Sequence, residues 1–396
     1  MLMSAAQAQP VAACRPWSAW ETYKQQFISA DGRVIDPASP RRHTTSEGQA
    51  YALFFALVGN DRPAFDRVLR WTEDNLAAGD LGARLPAWQW GHRDDDTWQV
   101  IDTNAASDAD LWMAYALGEA GRLWGQRRYL ALASLLAARI LREEVAVLPG
   151  LGPTLLPGPR GFGPDLQDRQ LRARLNPSYL PLPVLRWLAQ RSGSPAWQAV
   201  VASSVKVIEA SAPKGFAGDW IRFEADALDG ADLRTGSSGE PPAGAFRPGR
   251  ISPSDDAEKR LGSYDAIRVY LWLGITDPAD PARAPLLRQL SPMADWIERQ
   301  GLPPEHIDPV TLAVRGDGPS GFSAAALPFL AALQRTQALG RQMQRLQLQP
   351  LRDHAYFEQS LALFGQGFLD ERYRFDRDGT LLPAWTSCTK PLSPSR

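Results

Sequence analysis

Apolar residues recur at three- and four-residue spacing in segment after segment of this chain, the pattern of helices that bury one face. The spacing predicts helices over 16–29, 45–58, 61–78, 107–122, 126–143, 177–190, 195–210, 262–274, 281–300, 321–335, 338–347 and 354–368. They fall into six consecutive pairs. Asn60-Asp61-Arg62-Pro63 and Ser192-Gly193-Ser194-Pro195 each join a pair and place Pro near the next helix start. Periodicity establishes a mostly helical, paired, all-α chain. Closure of six such pairs into a double-layered (α/α)6 ring is the architecture expected of them. Strand signals are few: 222–234 and 373–383 read as short hairpins, the second turning at Asp378-Gly379.

Three long segments, 79–106, 144–176 and 211–261, interrupt the helices, and loops of that length usually carry function. They hold Trp88, Trp90, Trp98, Phe216, Trp220 and many acids, a composition suited to the walls of a groove. The chain has 396 residues, enough to bury a large core. No Pro/Ser/Gly linker divides it, so one domain over 16–388 is expected, flanked by flexible ends at 1–15 and 389–396.

At 44% hydrophobic and with 43 basic against 44 acidic residues, the chain is neither a disordered tail nor a nucleic-acid binder. The longest apolar run, Tyr51 to Val58, is far short of the ~20 residues of a membrane helix, so no membrane insertion is expected. Ser4-Ala5-Ala6-Gln7-Ala8 has the small-x-small character of a signal-peptidase site, without the usual basic and long apolar regions before it. The alternative is an alanine-rich disordered start. Only two cysteines are present, Cys14 and Cys388, one near each end. In an exported protein they could pair, since domain termini often lie close together; otherwise they are two free thiols.

Three carboxylates follow plausible N-caps at predicted helix starts: Glu47 after Thr45-Ser46, Asp108 (with Asp110) after Ser107, and Asp265 after Ser263. Each alone reads as an acid satisfying a helix dipole, worth about 0.3–1 kcal/mol. In a helical ring, however, the inner helices run the same way and gather their N-termini on one face. Three acids there would surround one opening. Two carboxylates facing across a sugar-sized cleft meet the needs of glycoside hydrolysis, one protonated to donate to the leaving oxygen and one ionised to activate water. A helix N-terminus lowers a carboxyl pKa, so burial and a neighbouring carboxylate must raise that of the acid, Glu47, with Asp108 the neighbour.

Fourteen tryptophans supply flat faces on which sugar rings stack. Trp17, Trp71, Trp187, Trp197 and Trp272 lie on helical patterns and read as core. The loop residues Trp88, Trp90 and Trp220 read as platforms or structural plugs. Other chemistries lack a foothold. His43, His92, His306 and His354 are scattered, with no zinc-ligand spacing. His92-Arg93-Asp94 shares three residues with a kinase catalytic loop, but Gln99 stands where its Asn belongs, and Asp94-Asp95-Asp96 reads as a solvated turn. No metal or cofactor is implied.

Ala106-Ser107-Asp108-Ala109-Asp110-Leu111-Trp112-Met113-Ala114-Tyr115-Ala116-Leu117-Gly118-Glu119-Ala120, ending at Trp124, resembles the signature of glycoside hydrolase family 8. Ser46-Glu47-Gly48-Gln49, Asn176-Pro177-Ser178-Tyr179 and Ser263-Tyr264-Asp265-Ala266-Ile267-Arg268-Val269 are similar to that family in the same order. Arg33-Val34-Ile35-Asp36, Leu85-Pro86-Ala87-Trp88, Pro149-Gly150-Leu151-Gly152 and Gly321-Phe322-Ser323-Ala324-Ala325 resemble its branch encoded with bacterial cellulose synthase. The likeness runs from about Trp17 to Trp385. It implies an (α/α)6 barrel and an inverting endo-β-1,4-glucanase, with chitosan, xylan or mixed-linkage glucan as alternative substrates. A non-catalytic glucan-binding subunit of polymer export is the alternative from another class. By the same resemblance Glu47 is the general acid and Asp265 the general base. Asp108 holds the sugar at the cleaved bond, Tyr264 and Arg268 order the water and base, and Trp90, Tyr179 and Trp220 contact glucan. A periplasmic or secreted monomer is expected, acting on cellulose chains and associated with the synthase or its export complex.

Overall fold

The computed structural model describes residues 15–233 and 243–388. All twelve predicted helices are present: α1 (Ser18–Phe27), α2 (Ser46–Val58), α3 (Arg62–Leu76), α4 (Ser107–Trp124), α5 (Arg127–Glu143), α6 (Leu182–Arg191), α7 (Pro195–Ser211), α8 (Ile267–Ile275), α9 (Arg283–Gln300), α10 (Ser320–Ala332), α11 (Thr336–Leu348) and α12 (Tyr356–Leu369). A further α-helical turn, Ala257–Arg260, lies in the longest loop, and short 3-10 turns occur at Pro177–Tyr179, Ala243–Ala245 and Ala384–Thr386.

Burial separates the helices into two layers. The even-numbered ones are nearly apolar all round, as a helix enclosed on every side must be. In α2 every residue but Glu47 is buried, and in α8 every residue is. The odd-numbered ones are amphipathic: α5 buries Tyr129, Ala133, Leu136, Ala137 and Ile140 along one stripe and leaves the rest outward. The inner helices pack in chain order, and α12 returns to α2 through Phe54 and Phe364, stacked 5.3 Å apart, which closes the ring. Close approach needs glycine at two contacts. A Cβ on Gly274 of α8 would lie 2.4 Å from the Phe329 backbone N of α10, and one on Gly365 of α12 would lie 1.9 Å from the Ala324 carbonyl O. Aromatic rings fill the centre: Trp112 lies 5.2 Å from Trp272, and Trp272 lies 5.0 Å from Phe364. Trp17, Trp71, Trp187, Trp197 and Trp272 are all buried, as the helical pattern predicts.

Inner-to-outer connections are short, 59–61, 125–126, 192–194, 276–282 and 333–335. The long segments all run from an outer helix to the start of the next inner one, so they collect on the face where the inner helices begin. They contain more strand than the sequence suggests. Gln89–His92 and Trp98–Asp102 form a hairpin whose first strand pairs with Thr44–Thr45, directly before α2. The hairpin read over 222–234 is not formed. Ile221–Asp226 is instead a central strand, between Gln170–Leu175 and Arg250–Pro253, in a four-stranded sheet begun by Asp165–Gln167. Its partners lie dozens of residues away, beyond any local turn signal. The 373–383 hairpin forms as predicted.

Among the described residues, no helix is long and apolar enough to cross a membrane. Of the possible Cys14–Cys388 disulfide, Cys14 lies outside the described residues, as do all but Arg15 of the expected flexible N-terminus 1–15 and the whole of 389–396.

Candidate active site

Each predicted acid reaches the same place by a different local route. Thr45, not Ser46, caps α2: its Oγ1 accepts from the Gly48 N–H at 3.1 Å. Glu47 is thereby fixed in the first turn as the one residue of α2 open to the cleft. Before α4 the cap position is Ala106, so Ser107 is helical and does not cap; its N–H donates to the Pro157 carbonyl at 3.0 Å. Asp108 follows, nearly fully buried. Helix α8 begins at Ile267, which leaves Asp265 just ahead of it, and Ser263 caps nothing there. The turn is held from outside. One Asp219 carboxylate oxygen accepts from the Ser263 and Ala266 N–H groups, both at 2.7 Å, and the other accepts the Ser263 hydroxyl.

The three acids meet on one guanidinium. Arg268, 3% exposed, donates from Nη1 to Glu47, to Asp108 Oδ2 at 2.9 Å and to the Tyr51 hydroxyl at 3.1 Å. Its Nη2 donates to Asp265 Oδ1 at 2.6 Å. Asn176 Nδ2 donates to the other Asp265 oxygen at 2.9 Å, so both oxygens of that carboxylate are aimed by fixed donors. Arg268 also lies over the Tyr179 ring at 5.6 Å and the Phe357 ring at 5.8 Å.

One cation cannot neutralise three carboxylates, and burial decides which keeps a proton. Burial pushes Glu47 from 4.5 to about 7; Arg268 opposes the rise, and the charges of Asp108 and Asp265 reinforce it. Asp108 is raised as well, again chiefly by burial. Asp219 rises to about 6, through burial and the nearby Asp265 charge. The conflict between helix dipole and acid function at Glu47 is thus resolved by desolvation.

The aromatic candidates divide. Tyr179 covers Arg268 beside the acids. Trp220 is parallel to Phe162, 5.9 Å away, with the Arg174 guanidinium 5.5 Å from its ring. Trp88 lies beside α2, its carbonyl accepting from the Ser46 N–H at 2.9 Å. Trp90 is packed against Trp71, Trp98 and Arg33, with the guanidinium 4.3 Å from its ring. Tyr264 turns outward, donating its hydroxyl to Glu305 at 3.1 Å, and Asp265 is reached instead by Arg268 and Asn176. Among the described residues, no cluster of His, Cys, Asp and Glu is arranged to hold a metal ion.

Sequence reasoning missed Asp219, Tyr51 and Phe357, and it quoted Asn176 only as part of a family-like segment. Asp219 stands 44 residues before Ser263, with no local pattern linking them.

The family model for glycosyl hydrolases family 8 matches residues 1–238 and 249–371. This chain belongs to glycosyl hydrolase family 8. Among family 8 relatives, an endoglucanase of Escherichia coli K12 is 46% identical over 375 residues, covering 94% of this chain and 92% of the relative. An endoglucanase of Xanthomonas axonopodis pv. citri is 45% identical over 388 residues, covering 97% and 93%. The solved structure of an endo-1,4-D-glucanase from Vibrio fischeri ES114 superposes with a TM-score of 0.81 at 39% identity, covering 94% of this chain and all of that one. The (α/α)6 barrel of the family is the architecture described above.

Proposed function

We propose that this family 8 hydrolase cleaves internal β-1,4 bonds of cellulose-like glucan with inversion. The observation that carries the reading is the meeting of Glu47, Asp108 and Asp265 on Arg268, with Glu47 still protonated near neutral pH. Glu47 gives its proton to the glycosidic oxygen as the bond to the anomeric carbon breaks. Asp265 takes a proton from water as that water's oxygen attacks the same carbon from the opposite face. Inverting enzymes hold the two carboxyls about 6.5–9.5 Å apart, to leave room for the water. Asp108 holds the sugar at the cleaved bond, Arg268 orients the base, and Tyr179, Trp88 and Trp220 offer ring faces along the groove. The likeness to the endoglucanases of E. coli and Xanthomonas and to the endo-1,4-D-glucanase of Vibrio fischeri supports the choice of substrate.

We further propose that the enzyme acts as a monomer in the periplasm or outside the cell, alongside a cellulose synthase or its export complex. The small-residue N-terminal segment and the two cysteines support that location. Glu47→Gln should abolish release of reducing ends from carboxymethylcellulose while oligosaccharide binding persists. Appreciable turnover by that variant would overturn the assignment.

A further inference from the structure

The first turn of α4 carries a second acid, Asp110, that the proposed chemistry leaves without a role. It faces Glu144, which caps the C-terminal end of α5. Both residues are wholly buried, and each carboxyl lies close enough to act on the other's proton. Among the described residues no other donor reaches any of the four oxygens. The charged groups acting most on the pair are themselves acids: Asp108 on α4, and Glu143 on α5, which is tied up with Arg139 and Arg142. Two carboxylates in contact in a dry interior cannot both ionise, so one proton must remain between them.

The backbone around the pair is braced. The Leu156 N–H donates to the Glu144 carbonyl at 2.8 Å, and the Ser107 N–H donates to the Pro157 carbonyl at 3.0 Å. The hairpin that starts at Glu144 therefore also holds the residue preceding Asp108. We propose that Asp110 and Glu144 share a single proton and act as a positioning pair, fixing the first turn of α4 so that Asp108 stays at the cleft floor. The acid form of one donates its O–H to the carboxylate of the other, leaving one negative charge on the pair. Loss of the proton sets two buried anions against each other and pushes the start of α4 from the end of α5. Burial holds both carboxyls well above the usual carboxylate range, and the Asp108 charge raises both further. The proton sharing rests on complete burial and on the lack of any other donor to the four oxygens; its link to catalysis rests on the reading of Asp108 given above.

Infrared spectroscopy at about pH 8.5, where Glu47 and Asp219 have ionised, tests the shared proton. The wild type should keep a carboxylic-acid C=O band there, and Glu144→Gln should lose it. Kinetics on cello-oligosaccharides test positioning. Glu144→Ala leaves Asp110 without a partner and should lower kcat/KM about tenfold or more, whereas the Glu144→Gln amide donates to Asp110 and should recover most of that loss. No acid band in the wild type, an unchanged band in Glu144→Gln, or equal activity of the Ala and Gln variants would each overturn the proposal. If Glu144→Ala does not fold, the Glu144→Gln spectrum decides. A wild type inert toward every glucan would sink the hydrolase reading and leave the infrared result standing.

Discussion

Replacing Glu47 by Gln should stabilise the protein at high pH while destroying its activity. The carboxyl rises from its ordinary 4.5 to about 7 on folding, mainly because burial penalises the anion more than Arg268 compensates it. The sign follows from proton linkage. A group whose folded pKa is raised gives stability that is complete below its unfolded pKa and is lost as pH climbs through its folded pKa. The window here is pH 4.5 to about 7, and the loss across it is about 3 kcal/mol. Gln resembles the protonated side chain at every pH, so the variant escapes that loss. For a chain of this length 1 kcal/mol moves Tm by about 1 °C. Thermal unfolding of both proteins should show similar Tm values near pH 4, and the variant higher by about 3 °C near pH 8. Raised acids remote from Glu47 titrate in both proteins and cancel in the difference, whereas Asp108, which acts on Glu47, adjusts with it. A Tm gap that stays constant between the two pH values, or that shrinks as pH rises, would refute the claim that burial holds the proton on Glu47.

The activity profile should share that origin. kcat/KM should fall about tenfold per pH unit above pH 7 as Glu47 ionises. Asp108→Asn should move the fall to lower pH, because the Asp108 charge helps retain the proton; pH–rate profiles of residual activity check both. Asp219→Asn keeps the shape but weakens charge-assisted bonds to the Ser263 and Ala266 N–H groups. It should lower kcat about tenfold or more with little change in KM, and an effect on KM alone would count against a role in holding the base.

The helices were legible because the inner layer leaves almost no polar residue except where it opens to the cleft, so Glu47 stands out in Ser46–Val58. The acids were legible for the same reason, since each sits where an apolar run begins. What holds them was not. Asp219 holds the turn that carries Asp265, and Asn176 reaches Asp265 itself, across 44 residues or more of chain, through contacts that periodicity does not encode. The four-stranded sheet was hidden likewise, because Ile221–Asp226 draws its partners from two separate loops. Trp90, which the sequence leaves between platform and structural plug, has its ring engaged by Trp71, Trp98 and Arg33, contacts that no local pattern encodes.

The anomeric form of the newly released sugar reports directly on how the two carboxyls divide their work. Proton NMR of cello-oligosaccharide hydrolysis, read before mutarotation, should show the α-anomer appearing first. Initial release of the β-anomer would mean that a carboxylate attacks the sugar itself, and the placing of water between Glu47 and Asp265 would be wrong.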